Sequence, residues 1–237
     1  METIQENEYD VVMKETVDPY LKKHGKSGYI SSYDGIGKLH MMRYLTEESK
    51  GVIVICHGYT ESAPKYDEMV YYFLQTGYHV YLPEHCGHGL SYRLTKDPSL
   101  VHIDNWKRYV RDFLHVCEYI RKKHPDLSLN LFAHSMGGAI GGIAVAWRPE
   151  WFHRVILNSP MIRPRTAKVP WVISASVSGL QCLFGKSEEY VLGQHPYDGS
   201  ATFETSASTS KPRFKRFNDR RKTHTYMQIC AASYGWL

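Results

Sequence analysis

The run Ala133-His134-Ser135-Met136-Gly137 sets a serine at the junction between an apolar stretch, Leu127 to Ala133, and a stretch of small helix formers, Met136 to Trp147. Where a strand turns abruptly into a helix, the residue at the turn is held in a strained backbone conformation and its side chain is pushed clear of the sheet. A serine hydroxyl presented in this way is placed to act as a nucleophile. The positions flanking it must be small so that neighbouring backbone can pass. Gly137 meets that demand, and Ala133 is the smallest departure from glycine. Gly138, Ala139, Gly141 and Gly142 leave one side of the following helix almost bare, so that it can lie close against a sheet. A glycine-rich helix start can also bind phosphate. No Walker pattern occurs, and Ala139 stands where the dinucleotide fingerprint would need its second glycine counting from Gly137, so a nucleotide fold is disfavoured.

Attack on an ester creates an oxyanion, which backbone N–H groups fixed in a loop can stabilise without reorganising. The segment His57-Gly58-Tyr59-Thr60-Glu61-Ser62 follows directly on the apolar run Gly51 to Cys56 and could supply one such donor. The expected pair is the N–H of Met136, just after the serine, and that of Tyr59. Taken alone, a His-Gly after a strand is also an ordinary strand-ending turn. His85, Cys86 and His88, with Cys56 and His57, could be drawn as a metal cluster, but their spacing matches no standard ligand pair. No metal and no cofactor are therefore expected. A cysteine nucleophile is not expected either, because no cysteine stands at a strand-to-helix junction.

The elements that must position Ser135 alternate along the chain. Gly28 to Tyr33 and Lys38 to Leu45 flank Asp34-Gly35 as a hairpin or tight connection. Gly51 to Cys56 is apolar on both faces, as a central parallel strand should be. Tyr66, Met69, Val70, Phe73 and Leu74 recur at helical spacing, with Ser62 and Gly77 as cap candidates, and His79 to Leu82 forms a strand stopped by Pro83. A longer helix is marked by Trp106, Tyr109, Val110, Phe113, Cys117 and Ile120, opened by Asp104 or Asn105 and closed by His124-Pro125. Strand Leu127 to Ala133, helix Met136 to Trp147 and strand Val155 to Leu157 complete the alternation, which implies βαβ crossovers and a mostly parallel sheet. After Ser159-Pro160 the chain turns rich in Pro, Ser and Gly. Residues 1–160 are assigned to the core and 161–237 to a largely helical cap.

With 237 residues, 43% hydrophobic and 22% charged, the chain can bury a full core in one domain with an inserted subdomain. Its start, METIQENEYDVV, has neither the basic nor the apolar stretch of a secretory signal, and Val169 to Gly185 is broken by Pro170, three serines, Gly179 and Gln181. Five widely spaced cysteines fit reduced thiols, and a soluble, cytoplasmic protein is expected, with transient membrane contact at most. Seven Lys or Arg against Asp219 between Lys211 and Lys222 more than account for the net charge of +5. That segment could steer anionic lipid headgroups toward the protein, although a solvated helical face is the ordinary reading of such a run, and no nucleic-acid partner is expected.

Four motifs in order carry a family resemblance: His57-Gly58-Tyr59-Thr60-Glu61-Ser62, Glu84-His85-Cys86-Gly87-His88-Gly89-Leu90-Ser91, Leu100-Val101-His102-Ile103, and Ala133-His134-Ser135-Met136-Gly137-Gly138. From about Gly28 onward the sequence resembles the lysophospholipase and monoacylglycerol lipase group of α/β-hydrolases, the serine aminopeptidase S33-like domain. Pro212 to Leu237 resembles the family's cap helix and its exit toward the core. Cys86 stands where relatives often carry a basic residue. The resemblance implies an α/β-hydrolase fold with an inserted helical cap, an acyl-enzyme on Ser135, no metal, and a greasy acyl pocket for a lysophospholipid or monoacylglycerol. A peptidase or general carboxylesterase, and a non-catalytic binding module of the same fold, are the alternatives.

In this fold the triad partners follow the serine in the order acid, then histidine. Only His153, His195 and His224 lie beyond Ser135. His153 comes before any suitable acid-bearing loop, and His195 and His224 fall in the cap, where a surface histidine is the ordinary case. Asp198 and Asp219 precede His224, but a spacing of five does not put Asp219 on its helix face. The triad acid and histidine are thus not identified. By the resemblance, two further strands should follow Leu237, leaving Val155 to Leu157 as an unpaired edge. The chain reads as a truncated product of low expected stability.

Overall fold

The computed structural model describes residues 2–164, 166 and 169–237. Of the segment assigned to the cap, Arg165, Ala167 and Lys168 lie outside the described residues, as does Met1 of the N-terminal stretch. The chain opens with helix α1 (Tyr9–Val12), a π-helical turn (Met13–Val17) and α2 (Asp18–His24). The hairpin β1 (Gly25–Ser31) and β2 (Lys38–Tyr44) follows, turning at Gly35, where φ is 76°. Then come β3 (Val52–Cys56), a 3-10 turn (Ala63–Tyr66), α3 (Asp67–Gln75) and β4 (His79–Pro83). After the short β5 (Leu100–Val101) come α4 (Lys107–Lys123), β6 (Leu129–His134), α5 (Met136–Trp147) and β7 (Arg154–Asn158). The remainder holds α6 (Trp171–Leu183), α7 (Lys211–Thr223) and β8 (Ala231–Ala232).

Six strands form one sheet in the order β1-β2-β4-β3-β6-β7. The first two pairings are antiparallel and the other three parallel, which is the α/β arrangement expected from the alternation. The unbroken apolar run of β3 has a physical cause. Val52, Val54 and Cys56 enter the core beneath α4 and α5, while Ile53 and Ile55 enter the one beneath α1, α2 and α3. Strand β6 begins two residues later than the sequence suggests, because Leu127 N–H closes a turn onto His124 O at 3.2 Å. No described residue pairs with the outer edge of β7, where Ile156 is 57% exposed.

The N-terminal helices were not anticipated from the sequence, whereas the return of the chain toward the core after Pro212 was expected from the family resemblance. The N-terminal helices bury Ile4, Tyr9, Met13, Val17 and Leu21, an almost regular four-residue apolar spacing that signals a helix face. Beyond α7 the chain turns back onto the body of the molecule. Met227, Ile229, Ala231 and Ala232 are buried, and β8 pairs in parallel with β5. The segment assigned to the cap contributes two helices joined by a long irregular stretch. Of these, α6 is turned outward, with Val172, Ile173, Leu180 and Leu183 all more than half exposed and Ser178 buried. None of the described helices is long and apolar enough to cross a membrane.

Candidate active site

Ser135 occupies the corner between β6 and α5 with φ 53° and ψ −118°, a conformation that costs a non-glycine residue about 1–3 kcal/mol and persists only when its surroundings hold it. They do so through the backbone. Ser135 N–H donates to Asn158 O at 3.1 Å, and Ser135 O accepts from Gly138 N–H at 2.8 Å and Met161 N–H at 2.9 Å. Helix α5 lies directly on the sheet because its first turns lack side chains. A Cβ at Gly137 would stand 2.0 Å from Cys56 O, and one at Gly138 would stand 2.7 Å from Pro160 Cα.

The loop after β3 approaches Ser135 from the other side. A Cβ at Gly58 would be 3.1 Å from Ser135 Cβ. The buried carboxylate of Glu61 shapes this loop. It accepts Gly58 N–H at 2.6 Å and the Tyr66 hydroxyl at 2.5 Å, pairs with Lys65, and lies 3.6 Å from His134 Nε2. Burial alone would push the Glu61 carboxyl up, but the Lys65 ammonium, the Tyr66 hydroxyl and His134 outweigh it and hold it below the ordinary range. Among the described residues, no protein group accepts the N–H of Tyr59 or of Met136. The indole of Trp236 lies against the Tyr59 ring, with centroids 4.4 Å apart.

Behind the loop His57, His85 and His88 pack together, with His57 ring centroids 4.3 and 5.2 Å from the other two. His57 donates from Nδ1 to Gly58 O at 2.9 Å and accepts His85 N–H on Nε2 at 3.0 Å, so it ties the loop after β3 to the loop after β4. Burial pushes all three imidazoles below their ordinary values, which keeps them neutral, and burial pushes the Cys86 thiol up to about 12. These residues brace the two loops.

None of the histidines beyond Ser135 approaches it. His153 precedes β7, which runs parallel to β6, so it lies at the end of the sheet opposite the serine. His195 is exposed and donates to its neighbour Pro196 O, and His224 ends α7 against Arg220 O. Asp198 contacts Ser200, and Asp219 pairs with Lys215. Among the described residues, no histidine or carboxylate hydrogen-bonds the Ser135 hydroxyl.

The basic run of α7 is largely spoken for within the molecule. Arg213 binds Glu68 at 2.6 Å and Ile4 O at 3.0 Å, Arg216 binds Asp18 at 2.5 Å, and Arg220 binds Asp67 at 2.5 Å. These ion pairs clamp α7 to α2 and α3. Replacing Arg220 by methionine removes the nearer partner of the largely buried Asp67 and leaves it only Arg216, 3.6 Å away, which should lower stability by about 1–3 kcal/mol in urea unfolding. Lys222→Met, at an exposed position, should change it by less than about 0.5 kcal/mol. Equal effects would show that the clamp adds nothing.

The sequence profile of the family described as serine aminopeptidase, S33, matches residues 47–218. Mouse monoglyceride lipase is 32% identical over 130 residues, which are 54% of this chain and 41% of that protein. Lysophospholipase L2 of Escherichia coli K12 is 32% identical over 123 residues, 52% of this chain and 36% of that protein. The chain therefore spans less than half the length of these two relatives. A crystal structure of a soluble variant of Saccharomyces cerevisiae monoglyceride lipase, in complex with a substrate analogue, superposes with a TM-score of 0.61 at 15% identity, covering 89% of this chain and 65% of that one. That likeness speaks to the fold alone.

Proposed function

Because this chain belongs to the serine aminopeptidase S33 family of α/β-hydrolases, we propose that Ser135 is the nucleophile of a hydrolase for monoacyl lipid esters, of the lysophospholipase or monoacylglycerol lipase type. One observation carries the reading: Ser135 is held at a strained strand-to-helix corner with Gly58 of the loop after β3 close against it, and among the described residues no protein group accepts the N–H of Tyr59 or of Met136. Its Oγ would attack the ester carbonyl, the two N–H groups would take up the developing oxyanion, and the acyl group would pass to Ser135 before water releases it. No base among the described residues reaches the hydroxyl. The expected rate is therefore that of a serine helped by its oxyanion donors and by substrate binding, which in triad enzymes retain about 10³–10⁴-fold over water when triad members are lost.

An alkyl fluorophosphonate tests this directly. The folded protein should take up one label on the peptide carrying Ser135, and Ser135→Ala should remove it. A folded sample with an unmodified Ser135 would sink the proposal and favour a non-catalytic module. Hydrolysis compared across lysophosphatidylcholine, monoacylglycerol and an aminoacyl amide then separates lipid esterase from peptidase.

A further inference from the structure

A second serine is built into a hydrogen-bonded relay away from Ser135. On the paired strands β1 and β2, Ser27 lies opposite Met42 and Tyr29 opposite His40, so Ser27 and His40 share one face on the diagonal. The Ser27 hydroxyl donates to His40 Nε2 at 2.8 Å, and His40 Nδ1–H donates to Glu84 Oε2 at 2.8 Å. His40 is 2% exposed and Glu84 1%, whereas Ser27 is exposed. We propose that Ser27 is an activated nucleophile in its own right, with His40 as its base and Glu84 as the carboxylate that positions His40, acting on small carboxylic esters in the cleft beside β1.

The relay is held more firmly than a hydroxyl that merely satisfies a buried imidazole would need. Glu84 also accepts Ala63 N–H at 2.7 Å and Leu90 N–H at 2.8 Å, so both its oxygens are fixed. The loop wraps the carboxylate so closely that a Cβ at Gly89, where φ is 51°, would lie 2.0 Å from Glu84 Oε2, and only glycine fits. The backbone of His40 is locked as well, its N–H donating to Ser91 Oγ at 2.9 Å and its O accepting Glu84 N–H at 2.9 Å. With Nδ1–H committed to Glu84, the Nε2 lone pair faces the serine, which is the tautomer a general base requires. Ser27, His40, Glu84, Met42, Arg220 and Tyr226 line one cleft of about 450 Å³, room for a short acyl group with its leaving alcohol.

The chemistry balances within these groups and the substrate. As Ser27 Oγ bonds to the ester carbonyl carbon, its proton passes to His40 Nε2, and Glu84 offsets the charge on the imidazolium. The tetrahedral adduct breaks its bond to the alkoxide, which leaves as the alcohol with the proton from His40. Water, deprotonated by His40, then frees the acid and restores Ser27. This reading is independent of the role proposed for Ser135.

Labelling with a small alkyl fluorophosphonate, followed by trypsin digestion and fragment-ion localisation, reads both serines in one wild-type sample. Phosphorus bonds to Oγ, fluoride leaves, and the proton goes to the base. Ser31, exposed on the same strand and carried on the same tryptic peptide, is the internal control. Modification of Ser27 should be at least tenfold faster than that of Ser31, should persist in Ser135→Ala, and should fall at least tenfold in His40→Gln. Added imidazole should restore part of the rate in His40→Ala, which a merely structural histidine would not allow. Equal rates at Ser27 and Ser31 in folded wild-type protein overturn the proposal, as does a Ser27 rate unchanged in folded His40→Gln. Label on Ser27 alone would count against Ser135, and label on Ser135 alone against Ser27.

Discussion

Gly137→Ala is expected to leave little or no folded protein. The added methyl would stand 2.0 Å from Cys56 O and 2.4 Å from His57 O, contacts that must be relieved by moving backbone. Neither carbonyl can yield easily, because Cys56 ends β3 paired with Ala133 of β6, and the buried His57 is tied to Gly58 O and His85 N–H. Helix α5 would have to lift from the sheet, carrying the Ser135 corner and its bonds to Asn158 and Met161 with it. Overpacking an ordinary core site costs about 1–3 kcal/mol, and a clash against fixed backbone belongs beyond the 4–5 kcal/mol that marks exceptional substitutions. Urea unfolding should show a lost or strongly lowered transition. Gly142→Ala is the matched control, since its methyl would meet only Leu157 Cδ1 at 3.8 Å, and in a helix interior the exchange should stabilise by about 0.5–1 kcal/mol. A Gly137→Ala protein that melts within a few degrees of wild type would refute the close approach of α5 to β3.

Mild acid should weaken the protein before most of its carboxylates protonate, the exceptions being Asp67 and Asp112, whose carboxyls burial holds above the ordinary range. His57, His85 and His88 are held neutral, each pushed down first of all by burial, and His85 and His88 further by neighbouring imidazoles. In the unfolded chain a histidine takes up its proton near pH 6.5, whereas these three resist doing so in the fold. Below that pH the unfolded state binds more protons than the native one. Stability is therefore full above about pH 6.5 and falls as pH drops, by up to about 1.4 kcal/mol per pH unit for each histidine, or about 4 for three. Against a typical domain stability of about 5–15 kcal/mol, the urea midpoint should fall measurably as pH drops below about 6.5. Midpoints that agree at pH 7.5 and 5.5 would contradict this. Glu61 and Glu84, both held below the usual carboxylate range by their partners, withdraw support only at lower pH still.

Much of the site was legible in the sequence because its code is local. The small residues around Ser135 state how closely a helix may approach a strand, and the apolar run of β3 states that both its faces are covered. What could not be read depends on partners far along the chain. The basic run of α7 looks like a solvated face until Asp18, Asp67 and Glu68 are brought against it. Glu61 and Glu84 stand in recognisable motifs, yet only the fold shows that both are buried and bonded to backbone N–H groups. Ser27 and His40 are unremarkable in sequence, because thirteen residues and a strand register join them. The pairing of Leu100–Val101 with Ala231–Ala232 has no local signature either, since two-residue strands carry no periodicity.

The clamp between α7 and the N-terminal helices also sets an order of events in time. Arg213 reaches Ile4 across 209 residues of sequence and Arg216 reaches Asp18 across 198, whereas most sheet contacts close far shorter loops. Contacts of such separation form late, once the rest of the chain has brought their ends together. On a ribosome adding about 5–20 residues per second, α2 waits roughly 10–40 s for the arginines that will hold it. During that interval Tyr9, Met13 and Val17 can already find α3 and the sheet, but nothing yet fastens the outer side. The nascent protein thus passes through a stage in which its sheet can be complete while its first helices are still held on one side only.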